Sequence, residues 1–290
     1  MAKRAWRGDT FGSRWMHERL IGLLRYVDVR LIYAFAAVFV IPVCLVLRSS
    51  RRTAYSYFRR RQGFGPFKSA WQTYVNHCLF AQVVVDRFAM FAGRRFSTTV
   101  EGYDHYLALA DRGYVQLSAH IGNYEIAGYT LVARQRRFNA LVYAGEKATV
   151  MDGRTRMFHD TNIRMIPVQP DGSHLFVLNE ALSAHEIVSM PADRTVGSKR
   201  TLSVEFLGAK AEFPLGPFSL ATMRGMDVLA VNVMKTSLMG YTIYVQPLHY
   251  DHAAPRREQE QQLARAYAAE LERMLRLYPA QWYNFFDFWK

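Results

Sequence analysis

The chain is predicted to be an α/β protein, a central, mostly parallel mixed sheet flanked by helices, with an N-terminal membrane-associated helix. Three observations predict this. Short apolar runs alternate with helical stretches from about residue 114, a pair of longer strand-like runs follows, and an uncharged segment stands near the start of the chain. A length of 290 residues with half of them hydrophobic is enough for one large α/β domain plus an attachment, or for two small domains.

The N-terminal element comes first. Between Arg30 and Arg48 lie 17 residues without a charge, LIYAFAAVFVIPVCLVL. As a helix such a run is about 25 Å long, slightly short of a roughly 30 Å hydrocarbon core. Pro42 lies inside it, which a membrane helix tolerates better than a soluble one. Trp6, Trp15, Tyr26 and Tyr33 stand where interfacial aromatics are expected. Arginines flank both ends, so the charges assign no direction and also fit a helix that dips into one leaflet; the competing reading is a buried core helix. Residues 1–65 are therefore expected to form a basic anchoring segment around helix 31–47, and residues 66–290 the folded domain.

Charge supports this division. Residues 1–65 carry 13 Lys and Arg against 3 Asp and Glu, whereas the rest of the chain carries 24 against 21. A basic excess around an apolar segment suits an anionic membrane surface. It does not suit nucleic acid, which calls for a basic face or a binding motif in the folded part. Two cysteines, Cys44 and Cys78, exclude a disulfide framework or a cysteine-rich metal site.

Residues 69–92 read as one helix. Buried strands are expected at 114–120, 138–145, 164–169 and 186–193, with helices at 124–136, about 147–161 and 172–184 between them. A hairpin is expected over 203–214, a strand pair over 227–235 and 241–250, and an amphipathic helix over 256–277.

YVQLSAHIGNYEIAG carries the chemical signal. A strand delivers His120 at its carboxyl end, the edge where open α/β sheets bind ligands. Gly122 and Asn123 turn the chain, and Glu125 falls in the first turn of a helix. A spacing of five does not align two side chains on one continuous helix. A strand end and a turn between them allow imidazole and carboxylate to meet. An imidazole so held can take the proton of an attacking hydroxyl, assistance worth about 10²–10⁴ in rate.

SAHIGNYE (118–125) resembles the H-x-x-x-x-D/E signature of the bacterial late acyltransferases of lipid A biosynthesis, within the lysophospholipid acyltransferase-like superfamily. PADRT (191–195), VEFLGAKAEFPLGPFSLA (204–221) and PAQWYNFFDFWK (279–290) resemble later blocks of that family in the same order, and the last looks like a less characterised branch. The resemblance implies a catalytic pair of His120 and Glu125. It implies an acyl carrier protein (or coenzyme A) thioester donor, a membrane lipid or glycolipid hydroxyl as acceptor, no cofactor or metal, and a place at the bacterial inner membrane with the catalytic domain on the cytoplasmic side. Residues 145–160 depart from the lipid A enzymes' pattern, so the acceptor is left open.

Asn123, Asp193, Arg194, Gly216 and Pro217 are the expected substrate-binding residues. Asp193 and Arg194 end a strand expected beside the one bearing His120, within reach of the same cleft; Arg194 would bind a phosphate or the oxyanion with Asp193 orienting it, and Pro214, Gly216 and Pro217 would shape a loop near the acceptor. Lys147, Arg154 and Arg156 are weaker candidates for contacting the carrier's phosphopantetheine. The terminal aromatic run, Trp282 to Trp289, either packs on the domain or meets the bilayer. Two competing functions stand beside the acyltransferase. A lipid esterase would need a G-x-S-x-G elbow, which the sequence lacks; a non-catalytic lipid-binding protein would keep the fold without turnover.

Overall fold

In a computed structural model, residues 12–289 are described except 110, 128–130, 132–135, 144, 160, 170 and 196–199. The chain parts into two compact units. One takes the chain up to Ser97 with 145–160 and 280–287; the other takes 98–144, 161–279 and the last residues. The boundary thus falls later than the 65/66 division expected from charge.

The reason is α5. Helices α1 (Arg14–Tyr26), α2 (Val29–Phe35), α3 (Ile41–Leu47) and α4 (Ser50–Arg60) all pack on α5 (Pro66–Phe91), a helix of 26 residues. Five residues of π-helix, Ala36–Val40, join α2 to α3, so one helix runs from Val29 to Leu47. Pro42 lacks the N–H an α-helix needs, and the turn before it widens: the Ile41 N–H reaches the Ala36 carbonyl. Val29, Tyr33 and Ile41 are buried, while Leu31, Phe35, Val38, Phe39, Val43, Val46 and Leu47 are exposed. With only 22% of its apolar window buried, this helix does not fit the core-helix reading.

Tyr33 departs from its expected interfacial place. It is buried and its hydroxyl donates to Asp86 on α5, since a phenol inside a helix bundle needs an acceptor. Trp15 and Tyr26 are exposed as expected; Trp6 lies outside the described residues. The terminal aromatics pack rather than lie free. In the first unit, Trp282 meets Tyr57 edge-on and Phe80 contacts Tyr283 and Phe285, while the Asn76 amide donates to the carbonyls of Ala280 and Trp282. In the second, Phe288 and Trp289 stack around Phe206.

The second unit is built on a seven-stranded sheet of order β1-β9-β8-β2-β5-β3-β4. Its strands are β1 (Ser97–Glu101), β2 (Val115–Ser118), β3 (Phe138–Val142), β4 (Ile163–Pro167), β5 (Ile187–Pro191), β8 (Val228–Ser237) and β9 (Gly240–Leu248). β2 runs parallel to both β5 and β8, and β3 parallel to β4 and β5; β8 and β9 run antiparallel. The expected α/β class holds. β6 (Thr201–Phe206) and β7 (Ala209–Pro214) form the expected hairpin as a separate two-stranded sheet.

Helix α7 (Ala148–Phe158) belongs to the first unit; α6 (Tyr103–Leu107), α8 (His174–Ser183), α9 (Leu215–Met223) and α10 (Arg256–Leu277) belong to the second. α10 spans the expected residues and buries Leu263, Tyr267, Leu271, Met274 and Leu275. The helix expected over 124–136 falls largely outside the described residues; its start is a 3₁₀ turn, Tyr124–Ile126. Leu215–Met223 corrects a second expectation. Gly216 and Pro217 lie in the first turn of α9, where a proline costs no hydrogen bond, and not in a loop.

Candidate active site

The register of two parallel strands builds the site. Ser118 of β2 lies opposite Pro191 of β5. Two residues beyond each strand end stand His120 and Asp193, so the same advance along parallel neighbours brings them side by side. Asp193 grips His120 twice. Its Oδ1 lies 2.7 Å from the imidazole Nδ1, and its Oδ2 accepts the His120 backbone N–H at 2.9 Å. Ala192 adds a backbone bond, its N–H donating to the Ser118 carbonyl at 3.0 Å.

A carboxylate can only accept, so the ring proton sits on Nδ1 and the lone pair on Nε2. The two partners differ in access: the imidazole side chain is 22% exposed and the carboxylate 0%. A substrate can therefore reach the base but not the group that holds it. Burial alone would push the Asp193 carboxyl up. The charge of His120, its side-chain hydrogen bond, the charge of Arg194 and the His120 N–H outweigh burial and hold the carboxyl below its ordinary range.

The chain after His120 is forced into a tight turn. Gly122 has φ +53°, and a Cβ there would lie 1.8 Å from the Val233 carbonyl oxygen on β8. Only glycine combines that conformation with that approach. The next N–H, of Asn123, donates to the same carbonyl at 2.8 Å. Asn123 itself is 2% exposed, and its amide donates to the Tyr241 hydroxyl at 3.4 Å. Asn123 thus holds the turn against β8 and β9.

Glu125 lies in the 3₁₀ turn, buried and engaged within the fold. The imidazole nitrogen expected to face it is taken by Asp193. The role expected of Asp193, orienting Arg194, is thereby extended to His120. Arg194 remains in its field. Burial lowers the guanidinium pKa, while the charges of Asp193 and Tyr124 act to raise it. Tyr124, 40% exposed, presents its ring edgewise to His120 with centroids 6.0 Å apart. From sequence, Tyr124 is legible only as the start of a helix.

Tyr267 was legible only as core. Its hydroxyl donates to the Ser118 carbonyl at 2.8 Å. Gly216 is exposed with open space where a Cβ would stand, so its binding role and that of Pro217 rest on the motif alone. Of the three basic residues considered for the carrier, Lys147 and Arg156 are exposed, while Arg154 is buried in α7. Among the described residues no group of three or more His, Cys, Asp or Glu side chains is placed to hold a metal ion.

A histidine with one nitrogen held by a buried carboxylate, at the carboxyl edge of a parallel sheet, is an arrangement that can serve as a general base. Residues 87–290 match the model of the family described as bacterial lipid A biosynthesis acyltransferase, and the chain belongs to that family. It is an acyltransferase. Among solved structures it is similar to the 1-acyl-sn-glycerophosphate (LPA) acyltransferase PlsC from Thermotoga maritima, at 14% identity and a TM-score of 0.43, with 94% of this chain and all of that one covered. No curated protein matches the sequence.

Proposed function

We propose that the protein moves a fatty acyl group from a thioester donor to a hydroxyl of a membrane lipid or glycolipid, with His120 as general base. Nε2 of His120 takes the proton of the acceptor hydroxyl as its oxygen attacks the thioester carbonyl. The tetrahedral intermediate collapses, the carbon–sulfur bond breaks, and the imidazolium returns its proton to the departing thiolate. Asp193 keeps the proton on Nδ1 and stabilises the imidazolium. Arg194 and backbone N–H groups of the turn after His120 stabilise the oxyanion. Glu125, the motif's own carboxylate, shapes the turn that carries His120. The observation that carries this reading is the 2.7 Å contact between Nδ1 and a fully buried carboxylate.

The donor is acyl carrier protein or coenzyme A, and the family supports the first. Purified protein supplied with one labelled thioester at a time and with inner-membrane lipid extract separates them. Label moving from the carrier thioester alone supports the proposal, and label moving from neither rejects it. The lipid missing from a deletion strain then names the acceptor and the acyl chain together.

We infer further that the first unit attaches to an anionic membrane surface, on the cytoplasmic side of the bacterial inner membrane. A 19-residue apolar helix with an exposed apolar face supports this, as do the arginines of α1 and α4 around it. Flotation with vesicles tests it. Binding to phosphatidylglycerol vesicles should exceed binding to neutral phosphatidylcholine vesicles; equal absence of binding to both refutes it.

A further inference from the structure

Beyond His120 and Asp193, one buried group bears on their spacing. Tyr267 of α10 is 2% exposed. Its ring is held edgewise by Phe213 and Phe218, at centroid distances of 6.0 and 5.7 Å. Its hydroxyl donates to the Ser118 carbonyl at 2.8 Å. That same carbonyl accepts the Ala192 N–H. One acceptor thus joins three elements: β2 two residues before His120, the chain one residue before Asp193, and α10. Burial, and after it the charge of Asp193, suppress ionisation of the Tyr267 phenol against the opposing pull of the Ala192 N–H, so it stays a donor.

We propose that Tyr267 is a positioning residue for acyl transfer: its hydroxyl fixes the end of β2, and so the distance between His120 and Asp193. It touches no substrate. Strand register alone brings the two residues near, but a strand end is free to fray. A hydrogen bond from a rigid phenol on a long helix removes that freedom where a shift of a few tenths of an ångström would lengthen the Nδ1 contact. The inference rests on the reading of His120 as base.

The test compares two buried tyrosines of the second unit. Tyr250 also donates to a backbone carbonyl, that of Met226, at 2.9 Å. Tyr267→Phe and Tyr250→Phe each remove one such bond and keep the ring, so both should lower thermal stability alike. Only Tyr267→Phe should lower kcat, on the order of ten-fold with KM little changed, and move the acid limb of the kcat/KM profile to lower pH. 3-Fluorotyrosine at position 267, which keeps the donor and the shape, should restore the kcat of the parent. A Tyr267→Phe enzyme whose kcat and pH profile match those of Tyr250→Phe overturns the inference. His120→Ala is assayed beside them. If it retains full activity, the general-base reading fails whatever Tyr267 does; if it is inactive while Tyr267→Phe equals the Tyr250→Phe control, only the positioning role fails.

Discussion

The carboxyl edge of β2 and β5 and the helix from Val29 to Leu47 invert the usual placement of side chains in opposite ways. At the sheet edge a carboxylate, Asp193, is fully buried, with a glutamate and an asparagine buried close by in sequence to His120. Along the helix, Leu31, Phe35, Val38, Phe39, Val43, Val46 and Leu47 stand exposed. Exposed apolar atoms are common on any protein and scattered ones mean little; a buried charge or a contiguous apolar face is informative. The lesson is that each inversion needs its own partner. The buried charge has found one inside the protein, in His120. The apolar face has none in its unit, and a lipid surface would supply it.

Breaking the first inversion should have the largest effect. His120→Ala should lower the acyl-transfer rate by about 10²–10⁴, with circular dichroism checking that the chain stays folded even though Asp193 loses its partner. Gly122→Ala should be the most damaging change to folding. The new Cβ would meet the Val233 carbonyl, in a backbone conformation that L-residues rarely adopt. A loss of roughly 2–4 kcal/mol in urea denaturation is expected.

Breaking the second inversion should be milder. Phe39→Asp, at an exposed position of the π segment, should leave the fold intact and weaken partition onto anionic vesicles by on the order of ten-fold or more. An unchanged partition would separate this helix from the membrane.

Acid sharpens the comparison further. The Asp193 pKa is lowered on folding, so the unfolded chain binds the extra proton. The stability contributed by this carboxylate is therefore full above its ordinary value of 3.8 and is lost as pH falls below it. Urea midpoints at pH 7 and pH 3 should differ more for the parent than for Asp193→Asn; equal differences would mean that Asp193 is not held as described. The apolar stretch from Leu31 to Leu47 carries no charged side chain of its own.

Much of this was legible from local pattern. Apolar runs bounded by turns marked β2, β3, β4, β5 and the β8–β9 pair within a few residues, and α10 matched its expected span. His120 at a strand end and Gly122 in the turn followed from the motif. What could not be read is long-range. Asp193 reaches His120 because β5 lies beside β2, while β3 and β4, which come between them in sequence, lie outside β5. That these two strands are neighbours was expected, but the register that sets the Asp193 carboxylate against Nδ1 is written in neither segment. A carboxylate five residues away therefore looked like the nearer partner, though the one 73 residues away holds the ring. The same limit hid α9, because Pro214, Gly216 and Pro217 read as turn residues and proline at the head of a helix looks the same. It also hid Tyr33 and Tyr267. Each sat in an apolar pattern, and only packing reveals that its hydroxyl has an acceptor.

The central claim is that Asp193 keeps His120 ready to act as the base. The most direct measurement is the acyl-transfer rate of Asp193→Asn set beside that of Glu125→Gln in one assay. The account predicts a loss on the order of 100-fold or more for the first and a clearly smaller loss for the second. An enzyme that tolerates Asp193→Asn but is silenced by Glu125→Gln would contradict it.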